Sequence, residues 1–350
     1  MSSWPCVISL SHQQQHRTSS SSALHPIWLV GAALSSWLFW SSESVEAAPL
    51  TRINSESPSK PIYRTFPPST TPAERDACEQ LRQSLLLTSL EPGFDEYVRQ
   101  WAIEDDWCLL RYIRAHKLNV AGAQAGLLAT AQWRYTEKID DIRVDEFKHI
   151  YIQGLMYVCT STDPSGRAII FNRKSPQPSV GWNPEVFRTE LRSLVYTLER
   201  AAREMDDRLA RGEADPSELD LKWVWIVDME HYTKGSATPW HVTKSLVDLM
   251  RLHYPERLHL AVIIDAPWIL RSLLKLLQPL IPKVTRDKVL FVSNRQSDLT
   301  SRLLRDAVGG VQNLPIVTNI PGAQVRFDID EYVRSDPLAK PRPNEKAGKP

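Results

Sequence analysis

The residues of this chain whose types could do chemistry are its nine histidines, its four cysteines and two strand-end aspartates, Asp228 and Asp265. His12, His16 and His25 fall in a Ser/Pro-rich leader, and His231, His241, His253 and His259 do not stand at helical metal-ligand spacing with a carboxylate partner. They read as satisfied core or surface residues, and no metal is expected. Asp228 and Asp265 each close an apolar run, the place where α/β sheets bind ligands, but an aspartate there also caps the turn that follows, and capping is the reading taken. Cys6, Cys78, Cys108 and Cys159 form no CxxC pair, which excludes a zinc ribbon or redox dithiol and predicts buried thiols in a reducing compartment. GxxxxGK[ST], GxSxG, HExxH and GxGxxG are all missing, so neither catalysis nor a cofactor is expected. Lys and Arg total 42 against 41 Asp and Glu, which leaves no excess of positive charge to follow a nucleic-acid backbone.

The elements that position such residues begin late in the chain. The first 72 residues hold eight of 25 prolines, and the last 15 hold four. Residues 1–70 read as a disordered extension, because Ser-rich, weakly apolar sequence buries too little surface to offset chain entropy. Its one apolar run, Ile27 to Trp40, is 14 residues long, short of the roughly 20 that span a bilayer. The expectation is a cytoplasmic protein; secretion or organelle targeting by this run is the alternative.

Thr71-Pro72-Ala73-Glu74 is a capping box with proline in the first turn, so the spacing predicts a helix start there. Apolar residues at three- and four-residue steps then predict a helical module over 71–145. Asp163-Pro164-Ser165-Gly166 between two β-rich runs predicts a hairpin. Beyond it, a helix from Pro184 to about Arg211, a strand from Lys222 to Asp228, a helix to Tyr254, a strand from Leu260 to Ile264, a strand from Lys288 to Ser293 and a helix from Ser297 to about Val308 alternate. Strands apolar on both faces (Trp223-Val224-Trp225-Ile226-Val227) imply a mainly parallel sheet covered by helices, an α/β domain over 146–325 with a tail over 326–350. Between two of these strands, Ala266 to Ile281 carries a wide apolar stripe including Trp268, Leu273 and Leu277. It reads either as a core helix or as a lid that faces a lipid pocket when shut and a membrane when open.

His253-Tyr254-Pro255-Glu256-Arg257-Leu258, then Val262 to Trp268, then Pro282 to Lys288, resemble the CRAL-TRIO lipid-binding family, and more narrowly its secretory-pathway phosphatidylinositol transfer proteins. Leu109 to Leu118, Gly166-Arg167 and Gly309-Gly310 add to a resemblance that covers roughly residues 73 to 325. It implies a hydrophobic pocket holding one phospholipid, a transient peripheral association with membranes, and transfer without catalysis, the alternative being a lipid-sensing regulatory or interaction module. By the same resemblance, Glu256 and Lys288 recognise the inositol headgroup, Thr285 meets its phosphate, and Arg111 or Arg114 adds a cation. The residue types suit this: a phosphate wants a hydroxyl and fixed cations, and an inositol ring wants a carboxylate acceptor. Taken alone, Glu256 could be a surface ion-pair partner, Thr285 a turn cap, and the two arginines a solvated helix side.

Two departures stand out. Trp223 and Trp225 replace small hydroxyl residues of the phosphatidylcholine-binding members, which argues against choline lipids and leaves room for a sterol or another flat apolar ligand as a second cargo. His259 after the block and His231 near the strand end stand where glycine is usual, so the local backbone is expected to differ.

Overall fold

The computed structural model describes residues 66–151, 155–173, 184–214, 220–230, 232, 240–268, 272, 287–293, 297–318 and 320–339. The leader with its apolar run, His231, Thr285 and the stripe beyond Trp268, including Leu273 and Leu277, lie outside the described residues.

The helical module opens on α1 (Pro72–Leu86). The Thr71 backbone N–H donates to Glu74 Oε2 at 2.8 Å and the Glu74 N–H returns a bond to Thr71 Oγ1 at 3.3 Å, which satisfies two helix-end donors reciprocally. Ala77, Cys78, Leu81 and Leu85 form the buried stripe of α1. It packs on α3 (Asp106–Ala115) and α4 (Val120–Glu137), while α2 (Phe94–Val98) runs into one π-helical stretch, Arg99–Ile103. Two glycines of α4 have a steric role. A Cβ on Gly122 or Gly126 would stand 2.9 or 2.8 Å from the His116 ring, so only glycine lets that imidazole lie against the helix. After α4 come the 3₁₀ turns Ile139–Asp141 and Val144–Phe147 and the short α5 (Lys148–Tyr151).

The hairpin forms as its turn chemistry requires: β1 (Met156–Thr162) pairs antiparallel with β2 (Ala168–Arg173), Asp163 Oδ1 accepts from the N–H groups of Ser165 and Arg167, and Gly166 takes φ +82°. From there the chain alternates: α6 (Pro184–Ala210), β3 (Trp223–Asp228), α7 (Trp240–His253), β4 (Leu258–Ile264), β5 (Val289–Val292), α8 (Ser297–Val308). The five strands lie in sequence order, with β2, β3, β4 and β5 mutually parallel. The mixed sheet and the helical N-terminal part are the architecture expected.

Pleating sends Val224, Ile226, Val262 and Ile264 to one face, where all four are fully buried in a core shared with Leu194, Val195 and Leu198 of α6. The alternate face carries the rows Ile170–Trp225–Ala261–Val289 and Asn172–Val227–Ile263–Phe291. Trp225, Val227, Val289 and Phe291 there are only half-buried.

Residues 326–339 do not trail away: α9 (Ile329–Arg334) begins on an Asp328 cap and docks on the core. Tyr332 is buried, its phenol oxygen accepts the Val158 N–H at 3.3 Å, and the Arg200 guanidinium lies 3.6 Å over its ring. Six residues carry too little periodicity to announce a helix, and only the long-range contact shows why they order.

A buried charge cluster joins the module to the sheet domain. Arg134 of α4 donates to both carboxylate oxygens of Glu199 on α6, at 2.6 and 3.0 Å, and to Asp140 at 2.8 Å. Tyr254 donates to the same Glu199 and Tyr97 to the same Asp140, each at 2.7 Å. Beside them Trp133 stacks on His253 at 4.0 Å.

Candidate functional site

Parallel strands start at a common edge, so residues preceding β3, β4 and β5 meet there although 66 positions separate Lys222 from Lys288. Lys222 leads into β3, and its ammonium pairs with Asp220 at 3.1 Å. Glu256 and Arg257 lead into β4; the Arg257 carbonyl accepts the Trp223 N–H at 2.8 Å, and its guanidinium donates to the Leu221 carbonyl at 2.8 Å. Lys288 leads into β5, and its carbonyl accepts the Ala261 N–H at 2.7 Å.

Two backbone features aim this edge. Glu256 sits at φ +56°, a left-handed conformation that a residue with a Cβ adopts at a cost, and the surrounding ladder holds it there. The register then slips: Trp223 opposes Leu258 but Val224 opposes Leu260, so His259 is the extra residue of a β-bulge. His259 is the position at which the resemblance led to the expectation of an altered local backbone.

The electrostatics follow from burial. Lys288 is half-buried, and desolvation lowers its ammonium pKa; Glu256 opposes that shift, whereas Lys222 adds to it by like-charge repulsion. Glu256 and Lys288 are therefore electrostatic neighbours. Burial likewise lowers the His259 imidazole, with Arg167 acting the same way and Asp220 against it.

The two candidate arginines separate. Arg114 is committed, its Nε 2.7 Å and Nη2 3.3 Å from the two oxygens of Glu74 on α1. Arg111, one turn earlier on α3, has a buried Nη1 with no hydrogen-bond partner among the described residues. It sits in a cluster with Asp105, Asp206 and Arg257. Burial and the Arg111 charge push Arg257 down to about 10, and burial pushes the Asp206 carboxyl up to about 7. Asp105 and Asp206 offset part of the charge of the two arginines, and the one open donor at Arg111 Nη1 suits an additional oxygen acceptor. In the sequence Lys222, Arg257 and Asp206 received no site role; the one available signal was the position of Lys222 and Arg257 just ahead of strands.

Of the aromatic candidates, Trp223 is 2% exposed, held between Tyr254 at 6.1 Å and the Arg257 guanidinium at 5.9 Å. Trp225 lies on the half-buried sheet face, and Trp268 projects with 74% exposure just beyond β4. At the opposite strand ends Asp228 accepts the Glu230 N–H at 3.0 Å, the turn-capping role expected of it, and lies 3.5 Å from Arg173. Asp265 accepts from Ser293 Oγ at 3.1 Å. Cys78, Cys108 and Cys159 are buried and unpaired, and burial pushes the first two thiols up to about 12 and 11, so neither is a nucleophile near neutrality. A cavity of about 220 Å³ lined by Leu85, Leu86, Leu90 and Ile103 belongs to the helical module and is smaller than an ordinary small-molecule site, hence no place for a two-chain lipid. Among the described residues no helix is long and apolar enough to cross a membrane.

Comparison with known proteins gives these features a context. The model of the CRAL/TRIO domain matches residues 152–308. The chain is 26% identical over 252 residues to CRAL-TRIO domain-containing protein C23B6.04c of Schizosaccharomyces pombe, covering 70% of this chain and 23% of that protein. It is 28% identical over 196 residues to the phosphatidylinositol transfer protein PDR17 of Saccharomyces cerevisiae, covering 53% of this chain and 51% of the relative. With the SEC14 cytosolic factor of Eremothecium gossypii it shares 24% over 269 residues, 71% of this chain and 77% of that one. The chain thus spans about a quarter of the first of these relatives and about half of the second.

Proposed function

We propose that the protein carries one phospholipid between membranes, with phosphatidylinositol as cargo and no chemical step, a reading that starts from the match of residues 152–308 to the CRAL/TRIO domain. The observation that carries this reading is the meeting of Glu256 and Lys288 at one strand edge, half-buried and within each other's field. A carboxylate accepts from inositol hydroxyls, and a partly desolvated ammonium binds their lone pairs or the phosphate. Arg111 adds donors from the helical module, and Thr285 supplies a hydroxyl to the phosphate; Arg114, held by Glu74, orders the module instead. The relative PDR17 is named for phosphatidylinositol transfer.

Extraction works only if protein replaces bilayer throughout, because each exposed methylene costs about 0.8 kcal/mol and two acyl chains would cost tens of kcal/mol. The half-buried sheet face with Trp225, Val227, Val289 and Phe291 supplies apolar wall, and the stripe from Ala266 to Ile281 acts as the gate. Trp268, exposed at its start, meets the membrane, so the association is peripheral and transient. Mass spectrometry of lipids copurifying with the full chain tests the cargo: phosphatidylinositol enriched over its share of the host membrane is expected, and a bulk-membrane composition would refute it.

A further inference from the structure

Trp225 presents an unmet demand. Its indole Nε1 is buried and has no hydrogen-bond acceptor among the described residues. A buried indole N–H ordinarily finds a partner, because a dry donor keeps its desolvation cost uncompensated.

The sheet itself offers no acceptor in that row. Trp225 is flanked across the ladder by Ile170 and Ala261, with Val289 next in line, all apolar. The carbonyls beside it are engaged in the parallel ladders that fix this register. The opposite face of β3 is closed by Val224 and Ile226, both fully buried. The remaining direction is the half-buried face, which the reading above assigns to the lipid. No ionised side chain shares the row, so a full negative charge there would lack a counter-charge, whereas a neutral oxygen needs only the single donor present.

We propose that Trp225 donates its indole N–H to a neutral oxygen of the bound lipid, the ester carbonyl of a glycerolipid or the hydroxyl of a sterol. The ring then does more than exclude a choline headgroup: it supplies one donor matched to the backbone of the lipid instead of its head. This inference rests on the lipid-carrier reading, and its test separates the two.

The full chain is loaded from vesicles containing labelled diester phosphatidylinositol, its dialkyl-ether analogue, or a labelled sterol, with Trp225→Phe in parallel. The wild type is expected to retain the diester over the diether by about fivefold, the ratio one neutral hydrogen bond supports, and Trp225→Phe to abolish that preference. Sterol retention that falls in Trp225→Phe while phosphatidylinositol retention holds would locate the acceptor on the sterol hydroxyl and equally support the donor role. The diester-to-diether ratio of the wild type needs no variant, so it stands even if Trp225→Phe folds poorly. Equal retention of diester and diether by the wild type, with no sterol bound, overturns the proposal while leaving lipid carriage intact; retention of no lipid at all overturns the carrier reading itself.

Discussion

Glu199→Gln changes one atom type at the junction between the helical module and the sheet domain, and its cost can be worked from the contacts. Arg134, with a side chain 6% exposed, is held by Glu199 and Asp140, whose side chains are 14% and 20% exposed. Burial disfavours its charge, yet the two carboxylates overcompensate and hold its pKa well above the ordinary arginine value. Removing one partner of a buried pair costs about 3–5 kcal/mol, because the other charge is left uncompensated. Asp140 still neutralises Arg134 here, and the Gln carbonyl still accepts one bond, so the cost falls below that range, to about 2–3 kcal/mol, a large share of a domain's 5–15 kcal/mol. Tyr254 loses its charged acceptor in the same step. If charge is the cause, neutralising the whole cluster with Arg134→Met, Glu199→Leu and Asp140→Asn together recovers most of that loss, since apolar replacement of a buried ionic group is often near neutral. Urea unfolding of each variant at pH 7, read as a midpoint shift at constant m, measures it. A Glu199→Gln cost below about 0.5 kcal/mol, or a triple variant no more stable than the single one, would refute the reasoning.

Lys288→Ala and Glu256→Ala, made separately, are expected to lower phosphatidylinositol transfer between vesicles at least tenfold with unchanged thermal unfolding, since each is a half-buried edge residue that contributes binding and little packing; transfer at the wild-type rate would remove them from the headgroup site. Burial and the nearby Arg134 push the His253 imidazole down to about 3, below its unfolded value near 6.5, so the unfolded chain takes up a proton first as pH falls. Stability from this group is therefore full above pH 6.5 and is lost toward pH 3, by at most about 1.4 kcal/mol per unit, and His253→Phe should flatten the wild-type curve over that window in acid-series denaturation. Trp268→Ala, which alters only an exposed ring, should weaken vesicle flotation several-fold without changing stability. Trp225→Thr should admit labelled phosphatidylcholine that the wild type rejects in a competition for loading; Trp223→Ser is unsuited to that test, because truncating a 2%-exposed indole costs about 3–5 kcal/mol in core packing.

Local instructions in the sequence determined the elements and their order. The capping box at Thr71, the Asp163 to Gly166 turn and the doubly apolar strand at Trp223 each act over a few residues, and any chain carrying them forms that helix start, that hairpin and that buried strand. Glu256 and Lys288 became candidates only through the resemblance to a family; that positions just ahead of successive parallel strands share one edge is what the tertiary structure adds. Choice of partner was not legible. Whether Arg111 or Arg114 stays open to a ligand depends on which of them Glu74 reaches, 40 residues away in sequence from Arg114. The slip that makes His259 a bulge, the withdrawal of Trp223 toward Tyr254 while Trp225 stays on the half-buried face, and the docking of Tyr332 on Val158 are settled the same way, by elements packing across the fold. Periodicity states which face a residue occupies, but the partner it meets there depends on the register and docking of distant segments, whose energies exist only once the tertiary structure has formed.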